Sequence, residues 1–173
     1  MFWNKVIGLW QRLFSGAQYR ADESSRADAR SDTMNQTRAV SCLPVTPAES
    51  LARFIVFSKW IRNNDKTVRP DAFIPYPYPE LSVTRHIGLL DTEIWDLGRD
   101  VANQRALTLH GRADVTASVV TNLSLRIEPT AEPKNHANVT GWPADKSHQK
   151  IIALKMAAQA VFVSRPQRPL APT

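Results

Sequence analysis

The chain has 173 residues, of which 22 are basic and 16 acidic, and its formal net charge is +6. This length favours one folded domain with additional segments at its ends. The only cysteine is Cys42, which excludes an internal disulfide framework and a thiolate-rich metal site and is typical of a reducing compartment.

The first fifty residues predict two segments outside the folded domain. Residues 1–15 are predicted to form an amphipathic helix in which large apolar side chains share one broad face, from Phe2 to Phe14. The helix is too short to span a bilayer, but residues 2–14 suit peripheral membrane contact, a partner protein or the domain's own surface. Residues 16–50 are polar and predict a disordered linker. Alternatively, Met34 is the true start, and residues 1–33 are not native.

The domain predicted for residues 51–163 begins with two strands. Branched and aromatic residues predict the first over about 53–60. Four prolines predict an extended, polyproline-like rim over 73–79, where Tyr76 and Tyr78 could stack on a ligand or cover the core. From Leu81, apolar and polar residues alternate, which predicts a second, half-buried strand.

The middle of the domain predicts two helices. Asp91 is the expected N-cap of a helix over 92–104, in which Gly98 suggests a close helix–sheet contact. A short strand is expected over 107–110, followed by a turn at Gly111. Asp114 then caps a short helix over 115–123, although its β-branched residues make a strand a fair alternative.

The last part of the domain predicts two strands and a helix. The strands cover 125–127 and 136–141, and the helix covers 146–163, with Asp145 as its cap. Its inner stripe is predicted to consist of Ile151, Leu154, Ala158 and Phe162. Prolines in 164–173 predict a disordered tail. The order of elements predicts an α+β fold, with a single mixed β-sheet and about three helices packed on one face.

Several chemical classes have no sequence support. The chain contains no Gly-rich phosphate loop, no G-x-S-x-G elbow, no H-E-x-x-H and no paired CxxC. The four histidines and one cysteine lack zinc-ligand spacing, so we expect no metal and no cofactor. Without a basic run or a known motif, the modest positive charge disfavours nucleic acid as a partner.

Two short polar clusters are the candidate site. A strand end beside the start of a helix can hold an anion. Arg85, at the end of the second predicted strand, could add a cation to these clusters. The candidate acid/base residues are His110 and His136, and the candidate ligand-binding residues are Arg85, Arg112, Trp142 and Lys146. Each could also be structural, through backbone hydrogen bonds, core packing or an Arg112–Asp114 surface pair. Convergence of three or more would favour function.

The segments AFIPYPYPELSVTR, LHGRAD and NHANVTGWPADKSHQK resemble a group of small bacterial proteins for which no activity is established. The resemblance covers about residues 53–162 and leaves out the first fifty. It implies a bacterial cytoplasmic setting but no reaction and no catalytic residues.

These observations lead to two functional hypotheses. The first is a small bacterial accessory module that binds a protein partner or a nucleotide-like anionic ligand. The alternative is an enzyme acting on a nucleotide or NAD-like substrate. In that enzyme His110 or His136 would be the acid/base, Arg85 and Lys146 would bind phosphate, and Trp142 would stack on a ring.

Overall fold

The computed structural model describes residues 43–76 and 78–166. The helix predicted for 1–15, most of the linker predicted for 16–50 and most of the tail predicted for 164–173 lie outside these ranges. The strands are β1 (Ser50–Ile55), β2 (Leu81–Arg85), β3 (Gly111–Thr116), β4 (Arg126–Pro129), β5 (His136–Thr140) and β6 (Val161–Ser164). The helices are α1 (Asp91–Gln104), α2 (Ala117–Asn122) and α3 (Lys146–Gln159), and 3₁₀ turns cover Ser58–Trp60 and Pro70–Phe73.

The six strands form one sheet in the order β4-β5-β2-β1-β3-β6. Every neighbouring pair is antiparallel, with registers such as Leu51 opposite Arg85 and Thr84 opposite His136. The α+β class is therefore confirmed, but the predicted mixed sheet is wrong. Each strand runs in the direction opposite to that of the strands beside it, so the sheet contains no parallel crossover connection between neighbouring strands.

Apolar residues occupy both faces of the sheet, because successive side chains of a strand point in opposite directions. The α3 face carries Leu51 and Ile55 and packs against α2, α3 and the Pro70–Phe73 turn. The α1 face carries Ala52 and Phe54 and packs against α1. The prediction that the helices cover one face is therefore wrong.

The central strand β1 begins and ends earlier than predicted, since residues 58–60 form a 3₁₀ turn instead. Its pairing with β2 includes Leu51 and Ala52. At the next residue, Arg53 Nη1 donates to the Ser82 carbonyl and Nε donates to the Ala72 carbonyl, each at 3.0 Å. The guanidinium thus ties β1 to β2 and to the Pro70–Phe73 turn. Phe73, predicted as the start of the extended rim, belongs to this 3₁₀ turn instead.

Helix α1 confirms the predicted helix, with its cap displaced by one residue. Leu90, not Asp91, is the N-cap, and its N–H donates to Glu93 Oε2 at 2.8 Å. A Cβ atom at Gly98 would lie 2.8 Å from Cε1 of Phe54. The expected close contact between this helix and the sheet is therefore confirmed.

The segment around Gly111 differs most from its prediction. Residues 107–110 form no strand, whereas Gly111, predicted as a turn, begins β3. The strand continues through Val115 and Thr116, so the alternative weighed for these β-branched residues is correct there. Only Ala117–Asn122 forms a helix.

Helix α3 begins as predicted, with Asp145 as N-cap accepting from His148 N at 2.9 Å. It ends at Gln159, and the following residues form β6 rather than a longer helix. The predicted inner stripe is wrong, because Ile151, Leu154 and Ala158 are exposed. The opposite side packs on the sheet, through Ile152, Ala153, Met156 and Ala157.

Candidate functional site

Arg85 occupies the buried end of β2 on the α3 face. Its Nε donates to Glu49 Oε1 at 2.6 Å, and its Nη2 donates to Glu49 Oε2 at 2.9 Å. Its Nη1 also donates to the Leu43 carbonyl at 2.8 Å. The guanidinium has no exposed surface, so these contacts hold residues 43–49 against the sheet.

Arg112 lies on the α1 face within a group of charged and aromatic side chains. Its guanidinium stacks over the Trp95 ring at 4.6 Å, with Nη1 2.6 Å from Asp91 Oδ1 and Nε 3.0 Å from Asp114 Oδ2. The Arg112 hydrogen bond holds the pKa of Asp91 below its ordinary value. On the other side, His86 Nε2 is 3.5 Å from Asp114 Oδ1.

This group contains the Arg112–Asp114 pair that the sequence suggested, but His86, Asp91 and Trp95 were missed. His86 follows β2, and Asp91 and Trp95 belong to α1. These residues are distant from Arg112 in the sequence, so no local pattern signals their contact. The guanidinium is largely buried between two carboxylates and a ring, an arrangement that fastens α1 to β3.

His136 begins β5 on the α1 face, in a part of that face formed by polar residues. Its Nδ1 is 2.8 Å from Thr130 Oγ1, and its Nε2 is 3.2 Å from Ser82 Oγ. Burial lowers the pKa of His136 below its ordinary value of 6.5. The imidazole is therefore neutral near pH 7, with a hydroxyl at each ring nitrogen.

Trp142 and Lys146 lie where β5 passes into α3. Trp142 is half-buried, and its Nε1 donates to the Val139 carbonyl at 2.9 Å. Lys146 is exposed in the first turn of α3. The Trp142 ring packs partly against the core of the α3 face, so the structure gives it a packing role.

The predicted site residues do not converge on one pocket. Lys146 belongs to the α3 side of the sheet, whereas His136 faces the α1 side. The backbone N–H of His110 donates to the carbonyl of Ile55, at the C-terminal end of β1. Arg85 lies opposite Leu51, near the N-terminal end of β1. Four residues of strand separate these levels, a distance of about 14 Å. A single anion site built from these residues is not present in the described structure.

The outward side of α3 is a surface that the sequence did not indicate. Ile151 is 50% exposed and Leu154 is 53% exposed, although both are large and apolar. Beside Ile151 opens a cavity of about 350 Å³. It is also lined by Leu123, Ser124, Gly141, Pro143, His148 and Ile152.

Lysines flank this outward side. With 100° between successive helical residues, Ile151, Leu154 and Ala158 form one stripe. Lys155 lies on one side of the stripe, and Lys150 lies on the other. Helix α3 contains no acidic residue. The surface is therefore apolar along its middle and cationic along both borders, and we call it the α3 stripe.

No metal or membrane-spanning element is found in the described ranges. Within residues 43–76 and 78–166, no three or more His, Cys, Asp or Glu side chains are grouped to hold a metal ion. In the same ranges no helix is long and apolar enough to cross a membrane.

No family model, curated protein or solved structure matches this chain. The geometry of its own residues is therefore the basis for a function.

Proposed function

We propose that this chain is a small bacterial accessory module that recognises a protein partner through the α3 stripe. The observation that carries the proposal is the exposure of Ile151 and Leu154, together with the apolar cavity that Ile151 lines. Side chains of this kind, contiguous and rimmed by charge, are typical of interaction surfaces. A helix laid along the stripe could place one large side chain in the cavity.

The charge of the stripe selects the chemistry of the partner. Lys150 and Lys155 border the apolar residues, and no acidic side chain within α3 offsets them. The complementary ligand is an amphipathic helix with apolar residues at three- and four-residue spacing and carboxylates on both borders. We therefore propose an acidic amphipathic segment of a bacterial, cytoplasmic protein as the partner.

A synthetic peptide of this design tests the proposal. The full chain is titrated with a Leu/Glu amphipathic peptide and with the same peptide carrying Lys in place of Glu, and binding is measured by fluorescence anisotropy. We expect the Glu peptide to bind and the Lys peptide to bind at least tenfold more weakly. Failure of the Glu peptide to bind would overturn the proposal.

Two variants assign the binding to the stripe. Leu154→Glu should weaken binding of the Glu peptide at least tenfold, because it places a charge among the apolar contacts. Leu90→Glu is the matched control, since Leu90 is 70% exposed and precedes α1 on the opposite side of the sheet. Equal binding by both variants would locate the peptide elsewhere. Self-association lost in Leu154→Glu would identify a second copy as the occupant.

A nucleotide-like ligand has less support than a protein partner. It would need several cations at one position, yet Arg85 is buried against Glu49, and Arg112 lies between Asp91 and Asp114. Lys146 remains available, but a single exposed cation gives little affinity or selectivity.

The second candidate function is an enzyme that uses His136 for acid–base chemistry on a nucleotide or NAD-like substrate. Its specific support is the neutral imidazole 3.2 Å from the Ser82 hydroxyl. Incubation of the full chain with NAD and with nucleoside phosphates, followed by chromatography, tests it. Turnover abolished by His136→Gln would favour this candidate, and absence of turnover would leave the binding module.

A further inference from the structure

The two edges of the sheet differ in their protection against pairing with another strand. Edge strand β4 contains Arg126 and Glu128, both exposed, and ends at Pro129. Charges and proline are the features that commonly block edge-to-edge association. Edge strand β6 has the sequence VFVS, without charge or proline, and Val161 is 64% exposed.

The outward backbone groups of β6 follow from its hydrogen bonding to β3. Arg165 N donates to the His110 carbonyl, so residues 165, 163 and 161 direct their backbone groups towards β3. The backbone N–H and C=O groups of Phe162 and Ser164 therefore point away from the sheet. No strand in the described ranges pairs with this outer edge.

The side chains of β6 hold this edge in a fixed position. Phe162 packs against the core of the α3 face, and Val163 packs against that of the α1 face. A Cβ atom at Gly111 would lie 2.6 Å from the Phe162 ring and 2.6 Å from the Val163 carbonyl oxygen. Glycine at this position thus permits the close approach of β6, which presents a preformed edge for pairing.

We propose that β6 pairs antiparallel with β6 of a second copy, about a two-fold axis at Val163. In this register Phe162 lies opposite Ser164 of the second copy, and the two symmetric pairs form four backbone hydrogen bonds. The two sheets then continue into one sheet across the interface. This self-association is independent of the α3 stripe, which lies on another surface of the domain.

The ends of β6 favour a second copy over an unrelated strand. The register places Val161 opposite Arg165 of the second copy, on the same face of the sheet. The aliphatic part of that arginine covers the exposed valine, and its charge lies near Asp114, which neighbours Val161 on β3. The two-fold axis repeats this contact, so each copy supplies both the apolar and the cationic end.

Sedimentation equilibrium of the full chain tests the dimer. Because the contact is small, we expect a dissociation constant of about 10–100 µM, measured over roughly 1–200 µM. Ser164→Pro removes an outward N–H, and Val161→Lys places a cation opposite Arg165 of the second copy. Each should weaken the dimer at least tenfold, whereas Val161→Thr should not. Unchanged melting temperatures would show that the variants remain folded.

A disulfide reports the register directly. In the Cys42→Ser background, Val163→Cys brings two thiols to a non-hydrogen-bonded pair whose Cα atoms are about 4.5 Å apart, which suits a disulfide. The control Val161→Cys lies on the same face but too far from its symmetry mate. We expect an oxidised dimer from the first variant only. A wild-type monomer at about 200 µM, or a dimer unaffected by both edge substitutions, would overturn the proposal.

Discussion

Glu49 and Arg85 form a two-pronged ion pair in the interior of the domain, with Oε1 2.6 Å from Nε and Oε2 2.9 Å from Nη2. Neither side chain has appreciable contact with water. Glu49→Gln would remove the carboxylate that pairs with the buried guanidinium, and we expect the free energy of unfolding to fall by about 3–5 kcal/mol. Urea denaturation measures this loss.

Two further variants separate the ion pair from simple packing. Glu49→Leu combined with Arg85→Met removes both charges and should recover much of the lost stability. Glu128→Gln is the control, because Glu128 is exposed and should have no measurable effect. A Glu49→Gln variant as stable as the wild type would contradict the burial of this pair.

The contact between Gly98 and Phe54 gives a second prediction. Gly98→Ala would improve helix propensity by about 1 kcal/mol, but the new methyl group would lie within 2.9 Å of two Phe54 ring atoms. We expect the steric cost to dominate, with a net loss of about 1–2 kcal/mol in unfolding free energy. Asp100→Ala, on the exposed side of α1, is the matched control and should not destabilise the domain. A stabilised Gly98→Ala variant would show that α1 can move outward.

Arg53 gives a third prediction, since its two hydrogen bonds join different elements. Burial lowers the pKa of Arg53 to about 10, yet the side chain remains charged at neutral pH. A lysine lacks the planar group that reaches both carbonyls, so Arg53→Lys should cost about 1–3 kcal/mol by chemical denaturation. Arg99→Lys, on the exposed side of α1, should change nothing measurable.

His136 gives a pH-dependent prediction. Its pKa is lowered in the folded chain, so the unfolded chain binds the proton more readily. The contribution of the neutral ring is fully present above the unfolded value of about 6.5 and is lost as the pH falls through the lower, folded pKa. His136→Gln should therefore reduce the loss in melting temperature between about pH 6.5 and 4.5. NMR titration of the ring would contradict this if its pKa were 6.5 or higher.

The order of elements could be read from the sequence wherever a pattern was local. Alternation from Leu81 identified β2, and the Asp145 cap identified the start of α3. Strand β6 was missed because VFV follows an Ala-rich helix without a glycine or proline between them. The antiparallel sheet and the use of both faces depend on pairings between distant residues, which periodicity does not reveal.

The candidate surface was harder to predict because α3 has two apolar sides. Ile151 and Leu154 suggested a core-facing stripe, but Ala153, Met156 and Ala157 occupy that position instead. Small side chains allow the helix to approach the sheet closely, and a helix–sheet distance cannot be read from one sequence. The candidate site residues were chosen from the chemistry of their side chains. In the structure they lie on both faces of the sheet.

The order of strands also has a consequence for how the chain folds. Only β4 and β5 are close neighbours in sequence, with Pro129 opposite Ala137. Central strand β1 pairs through Ser50 with Thr116, and β3 pairs through Arg112 with Val163. Such distant pairings raise the contact order and slow the folding of a domain. Since β6 is the last of the six strands in chain order, the sheet can be completed only after residues up to Ser164 have left the ribosome.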